Sequence, residues 1–377
     1  MGKKCIVHIP NHLDPNLASG SQIRPLKMKT AFENIGYEVD FISGYGIDRR
    51  KQINRIKNRI KNGENYEFVY AESSTMPTLL TEKNHIPLYP FLDFGFYSFC
   101  KKHNLPIGLF YRDIYWKFPA YKESVKGPRR IIAMEAYKYD LRKYDKYLSQ
   151  LFVPSLLMVG YIGHKKLSSI AHALPPGANM LQEELDIKDE YYKNRINNYD
   201  GSLRLFYVGG IGNHYKFDEL IRGVSKLDNI YLTICCREKE WQESSSNLAP
   251  YLNDRIKVVH ESGVELAKYY RQADICLAYF QQDEYRKMAM PIKLFEYLSF
   301  TVPVVTTDRT AAGKFVKDND IGWCIEYGED NIHLLFKKLS ENFEEVVQKH
   351  EKSKEILKNN TWECRAMEAA ALLNNCK

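Results

Sequence analysis

Met290–Asp308, MPIKLFEYLSFTVPVVTTD, is the stretch whose reading decides the fold. Pro291 has a fixed φ and no N–H to lose, so it suits the first position of a helix, and Ile292 to Leu298 continue in residues that tolerate one. Phe300 to Val302 interrupt it. Val302 to Thr306, with Pro303 near the start, reads as a short buried strand rich in β-branched residues. The unit is a loop, a helix and a strand.

Lys293 and Glu296 are three residues apart, so they share a face near that helix's N-terminus, where free N–H groups and the positive end of the dipole favour an anion. A diphosphate suits this end. Lys293 adds a point charge, and Glu296, one turn further in, is placed to accept hydrogen bonds from a ribose or sugar diol. The plainer alternative is an exposed i,i+3 ion pair worth a few tenths of a kcal/mol.

The pattern P-x-K-x-x-E-Y followed by a Pro-Val-Val strand resembles the donor-nucleotide signature of retaining glycosyltransferases of family 4, of the bacterial polysaccharide type. The resemblance implies an α/β protein of GT-B fold, two Rossmann-like domains facing a central cleft, with Met290, Pro291 and Ile292 leading into the donor site and Glu296 on the nucleotide ribose. Many members carry two glutamates eight positions apart. Here the first falls on Met288, and Glu284 lies nearby but out of register.

A chain of 377 residues with 44% hydrophobic content is long for one domain and ample for two cores. Lys and Arg number 54 against 47 Asp and Glu, a net +7, which suits phosphorylated substrates or an anionic membrane surface and is too weak to argue for nucleic acid. The 27 tyrosines suit tyrosine-lined clefts for sugar faces and hydroxyls, or reflect plain compositional bias. Eight scattered cysteines match no metal spacing and read as reduced thiols of a cytoplasmic protein. Residues 1–4 lead straight into a strand-like run, so no secretory signal is expected, and no apolar run is long enough to span a bilayer.

Lys4–Ile9 reads as a buried parallel strand, followed by a polar loop, a helix carrying Met28, Ala31, Phe32 and Ile35, and a second strand at Tyr37–Ile42. The loop ASGSQIRP places Gly20 and Ser21 where backbone N–H groups can face a phosphate or a sugar, and Arg24 is assigned to the acceptor side. It lacks G-x-G-x-x-G, which disfavours a dinucleotide cofactor. Asp48–Asn62 interleaves seven Lys or Arg with a stripe of Ile53, Ile56 and Ile60. It reads first as a solvated outer helix and second as a helix able to contact an anionic membrane over 49–62. Ile107–Tyr111 is a strand running into RDIYWKFP. Arg112, Asp113, Tyr115 and Trp116 therefore sit at a strand's carboxyl end, where open α/β sheets place ligands. Asp113 can orient an acceptor hydroxyl or shuttle its proton, and Tyr115 or Trp116 can stack on a sugar. An Arg112–Asp113 ion pair tying the loop down is the alternative. Similar Asp-aromatic motifs occur in the acceptor domain of the same family.

The expected boundaries are 1–175 for an acceptor domain, with a last helix at 361–377 crossing back to it, and 176–360 for a donor domain. In the latter, Leu203–Val208 is a strand followed by GGIGNHYK. Gly209, Gly210 and Gly212 allow close backbone approach, and Lys216 sits near the next helix start. The family has an arginine where this chain has Gly210, and Arg237, closing the run Ile230–Cys236, is the candidate replacement. His260 ends a further strand. Ala273–Phe280 precedes an irregular loop, Gln281–Ala289, and Leu334–Leu357 and Glu363–Leu373 read as closing helices.

The expected activity is transfer of a sugar from a nucleotide diphosphate to a hydroxyl of a glycan or lipid-linked acceptor. Retention is implied by the family alone. Asp113, Lys216, Lys293 and Glu296 form the catalytic set, and Lys216, Lys293 and Arg237 stabilise the leaving diphosphate. No D-x-D pair is evident, so a metal-independent reaction with no cofactor beyond the nucleotide sugar is expected. Two alternatives are a nucleotide-sugar epimerase of the same fold and a catalytically inactive sugar-nucleotide-binding subunit. Localisation is expected to be cytoplasmic, at the inner face of the membrane if peripheral.

Overall fold

The computed structural model describes residues 2–14, 19–211, 217–281 and 283–376, with the backbone alone at 244–247. In chain order, the first part runs β1 (Lys3–His8), α1 (Gly20–Asn34), β2 (Tyr37–Ile42), α2 (Gly46–Lys61), β3 (Phe68–Glu72), α3 (Leu92–Lys102), β4 (Ile107–Phe110), α4 (Pro119–Ser124), α5 (Gly127–Tyr147), β5 (Gln150–Val153), α6 (Val159–Ile162), α7 (Lys165–Ser169) and β6 (Ala171–Ala173). There follow α8 (Gln182–Asn197), β7 (Leu203–Val208), α9 (Asp218–Ser225), β8 (Ile230–Cys235), α10 (Glu238–Leu248), β9 (Ile256–Val259), α11 (Ala267–Gln272) and β10 (Ile275–Ala278). The chain ends with α12 (Ile292–Ser299), β11 (Val304–Thr307), α13 (Ala311–Asn319), β12 (Gly322–Ile325), α14 (Glu329–Glu341), α15 (Phe343–Leu357) and α16 (Trp362–Asn374). It divides into unit 1, Met1–Pro176 with Trp362–Lys377, and unit 2, Gly177–Thr361.

Unit 1 is a parallel sheet in the order β2-β1-β3-β4-β5-β6. Both faces of such a sheet are covered, which is why β1 buries Cys5, Ile6, Val7 and His8 in succession rather than alternately. One face forms a core of Val7, Phe32, Phe68 and Phe152, closed by Trp362, Ala366, Ala369 and Leu373 of α16. The order reverses at β1 and β3, so the carboxyl ends of these strands are the crevice of the unit.

One expectation is corrected here. The helix expected to begin after the ASGSQIRP loop starts within it, at Gly20, because Pro25 removes one ladder bond without stopping the turn. In α2, Ile53 and Ile56 are buried and the helix packs on β2 and α3. Arg49 joins them inside, donating to Asp93 at 3.0 and 3.1 Å, while Arg55 and Arg59 pair with Asp40. Ile53 and Ile56 are thus taken up by packing, in keeping with the outer-helix reading of 49–62, and Ile60 is half-buried.

Unit 2 is a parallel sheet in the order β12-β11-β10-β7-β8-β9, with one apolar core on each face. The order reverses between β7 and β10, which pair through Ile275 with Leu205 and Cys276 with Phe206. Pro291 is the residue before α12 rather than its first turn (φ −67°, ψ 137°), and Thr301 turns the chain into β11 with a left-handed φ of 52°. The Thr301 carbonyl accepts from Nδ1–H of buried His350 at 2.9 Å, which holds this strained residue in place. Among the described residues, no helix is long and apolar enough to cross a membrane.

Candidate functional site

In unit 2 the carboxyl ends of β7 and β10 are bridged by α12. The hydroxyl of buried Tyr297 donates toward the Leu277 carbonyl at 3.1 Å and the Val208 carbonyl at 3.5 Å, tying the helix to both strands flanking the order reversal. The first turn of α12 has no side-chain cap and no acidic residue, so its free N–H groups are left to bind an anion. Lys293 and Glu296 project together from this end, Nζ to carboxylate 2.8 Å, both half-buried. Glu296 also accepts from the Tyr270 hydroxyl at 3.2 Å. Burial, reinforced by the adjacent Glu296 charge, pushes the Tyr270 phenol well up, so it remains a donor. The Lys293 charge is felt by Cys235 at the end of β8, where it partly offsets the rise that burial causes in the thiol pKa.

The glycine loop after β7 meets these elements. Gly209 donates its N–H to Cys235 O at 3.0 Å, and a Cβ there would lie 2.8 Å from the Tyr207 hydroxyl, which itself donates to Gly210 O at 2.6 Å. Ile211 N–H donates to Glu240 at 3.3 Å, and the other oxygen of Glu240 takes Arg237 at 2.9 Å. Arg237 is thus linked to the loop through a carboxylate that offsets its charge, and its side chain is 74% exposed. Gly212 and Lys216 lie outside the described residues. His260 is exposed and donates from Nδ1 to Cys236 O at 2.9 Å. It ends β9, two strand spacings or about 10 Å from β7. Met288 is buried, Met290 packs on the core below α12, and Ile292 opens the helix. Asp189, His350 and Glu351 have ligand atoms close enough for one cation, but the Lys354 ammonium already contacts both carboxylates at 2.8 and 2.9 Å. His350 is bonded to the turn after α12, at the end opposite Lys293.

In unit 1, Glu72 is buried at the carboxyl end of β3 and accepts from Arg112 at 2.8 Å, with Arg24 3.3 Å away on its other oxygen. Arg24 also donates to Leu174 O, and its guanidinium lies 3.6 Å from the centre of the Phe110 ring. It is a core residue, not a surface group for an acceptor. Arg112 is held by Ser73 O and Gly20 O besides Glu72, and the Asp113 charge also acts on it, so the loop is tied down by more than the Arg112–Asp113 pair expected. Ser21 shares a 2.9 Å hydrogen bond with Ser19 at the start of α1.

Asp113, Tyr115 and Trp116 come together in a cavity of about 230 Å³, with Tyr121, Ser124 and Tyr137 among the other walls. Asp113 accepts from the Tyr115 N–H at 2.6 Å. Trp116 is buried, donates to the Tyr111 hydroxyl, and is stacked on Tyr137 at 4.9 Å, so that one of its faces is already taken. The missed residues are tyrosines from other elements, and among 27 tyrosines in the chain nothing marks Tyr121 or Tyr137 as special.

Residues 188–361 match the family model described as glycosyl transferases group 1. Solved structures align over nearly the whole chain. Anabaena Alr3699/HepE in complex with UDP and glucose aligns at 11% identity, covering 99% of this chain and 100% of that one, TM-score 0.64. A glycosyltransferase from Rickettsia africae ESF-5 aligns at 13% identity, covering 99% and 98%, TM-score 0.65. Sucrose-phosphate synthase from Thermosynechococcus elongatus aligns at 12% identity, covering 99% of each chain, TM-score 0.62.

The chain is a GT-B glycosyltransferase. No curated protein sequence matches it. The family match begins inside α8 and ends with unit 2, so the portion of this glycosyltransferase recognised by sequence is the unit that carries Lys293 and Glu296.

Proposed function

We propose that this glycosyltransferase moves a sugar from a nucleotide-diphosphate donor to a hydroxyl acceptor, a glycan or lipid-linked glycan of surface polysaccharide synthesis, with retention of configuration as in family 4. The observation that carries this reading is the uncapped α12 N-terminus, pinned by Tyr297 across β7 and β10, with Lys293 and Glu296 side by side on it. The donor diphosphate would sit on the helix N–H groups and Lys293, joined by Lys216. Glu296, oriented by Tyr270, would take the ribose or sugar hydroxyls. The bound UDP and glucose of the Anabaena protein support a nucleotide-sugar donor. The cavity of unit 1 would hold the acceptor, with Asp113 orienting its hydroxyl and Tyr115 offering a ring. Fixed dipoles and lysines would neutralise the leaving group without a metal, and the scattered thiols favour a cytoplasmic site of action.

A thermal-shift comparison of UDP, GDP, dTDP and ADP identifies the donor base, and turnover with that donor is then measured in EDTA. Turnover should persist in EDTA and fall about a hundredfold in Lys293→Ala and Glu296→Ala, the loss typical of one electrostatic contact to a transition state. Wild-type rates in both variants would remove the assignment. Metal dependence restored by Mg²⁺ would overturn the metal-independent mechanism.

A further inference from the structure

Parallel sheets are normally covered on both faces, and the sheet of unit 2 is left partly bare on one of them. Phe206 and Val208 of β7 and Cys235 of β8 point into the core that α11 and α12 close. Arg204 lies on the same side by the alternation of the strand. The register sets Tyr231 and Thr233 of β8 opposite Arg204 and Phe206, and Lys257 of β9 opposite Thr233. Helix α11 has only six residues and packs over β7. The amino halves of β8 and β9 therefore stay open here: Tyr231 is 46% exposed, and Arg204 and Lys257 are exposed as well.

A cavity of about 150 Å³ lies between this bare patch and α11, with Arg204, Tyr231, Thr233, Tyr269 and Gln272 among its walls. The Tyr269 ring is fixed in place, stacked on Phe206 with centroids 5.2 Å apart, and its hydroxyl donates to Glu261 at 3.0 Å. No acid lines the cavity. Asp274 accepts the Arg204 backbone N–H at 2.7 Å but gives its carboxylate to Arg195 and Tyr191 at 3.1 and 2.8 Å. Pockets that enclose a drug-sized ligand run to roughly 300–1,000 Å³, so this one has room for a single sugar ring and not for a nucleotide sugar. Tyrosine rings suit the C–H face of a pyranose, Thr233 and Gln272 can meet its hydroxyls, and the planar Arg204 fork matches a carboxylate or a phosphate.

We propose that this cavity is a second sugar site, which holds one ring carrying an anionic group on Arg204. Arg204 precedes Val208 by four residues, roughly 13 Å along the strand, so the site stands apart from the carboxyl ends where α12 would receive the donor. It anchors an acidic glycan without taking part in the reaction, and binding there does not depend on the transfer reading.

The test is saturation-transfer NMR of the full chain titrated with trigalacturonate, glucose 6-phosphate and maltotriose. One or both anionic sugars should bind, the pair distinguishing carboxylate from phosphate, and neutral maltotriose should not. Arg204→Gln should weaken binding roughly tenfold or more, as expected for a lost hydrogen bond to a charged group, and Tyr231→Ala should weaken it too. Lys337→Gln, on α14 against the opposite face, should leave it unchanged. Excess of the nucleoside diphosphate that gives the largest thermal shift should not displace the sugar, and donor hydrolysis in Arg204→Gln should match the wild type. Equal binding of maltotriose, no binding of either anionic sugar, full binding by Arg204→Gln, equal loss in Lys337→Gln, displacement by the nucleotide or lost hydrolysis in Arg204→Gln would each overturn the proposal. Unchanged melting temperatures show that the variants fold. The sugar titrations can be read whether or not any nucleotide binds, so a failure here is distinct from a failure of the transfer reading.

Discussion

Arg24 lies four residues before Met28 on α1, and Arg49 four before Ile53 on α2, so both fall on the apolar stripes of their helices. That spacing points them inward, although the sequence reading placed Arg24 on the acceptor side and Arg49 among the basic residues of an outer helix. Their counter-charges were not legible, because Glu72 and Asp93 belong to other elements and only the fold brings them within 3.3 and 3.0 Å. Asp140 is a harsher case: Oδ2 accepts from Thr78 N–H at 2.7 Å, but buried Oδ1 has no hydrogen-bond partner. Burial pushes this carboxyl up to about 7. The folded state then binds more protons than the unfolded chain between the ordinary Asp value near 4 and about 7, so stability falls as pH rises through that window and levels off above it. Urea titrations across pH should show this decline in the wild type and a flatter profile in Asp140→Asn. A parallel decline in both would show that Asp140 does not titrate in the window.

At the scale of elements, the apolar runs of β1, β4 and β10 and the helix in Met290–Asp308 were readable because buried parallel strands leave near-continuous hydrophobic stretches. Helix α3 was missed: Leu92–Lys102 buries Phe94, Phe96, Tyr97 and Cys100, and an apolar run of this length does not announce its periodicity. Three-residue β6 is too short for any pattern. Strand spacing also explains one requirement for glycine. A Cβ on Gly322 in β12 would stand 1.9 Å from the Val304 carbonyl oxygen of β11, a backbone atom that cannot swing aside. Gly322→Ala should therefore cost more than about 3 kcal/mol, beyond the usual range for single substitutions, as read by chemical denaturation. A cost below about 1 kcal/mol would mean the two strands separate without penalty.

At the scale of the molecule, the family match lies in unit 2 while the solved structures align over 99% of the chain, so unit 1 is recognised by shape and not by sequence. Unit 1 is also assembled from two separated pieces of chain. Trp362 and Leu373 of α16 are buried in its core, and losing two such side chains costs roughly 5–10 kcal/mol, comparable with the whole stability of a typical domain. A chain ending at Thr361 should expose that core and bind a hydrophobic dye or aggregate. A soluble truncated protein with an unchanged melting profile would contradict this. During synthesis the first 176 residues leave the ribosome well before the helix that seals them, because Gly177–Thr361 must be translated in between. At about 5–20 residues per second that interval is roughly ten to forty seconds. For that time the nascent protein presents an unsealed greasy groove to whatever chaperone or neighbour reaches it first, and its yield in the cell depends on who arrives.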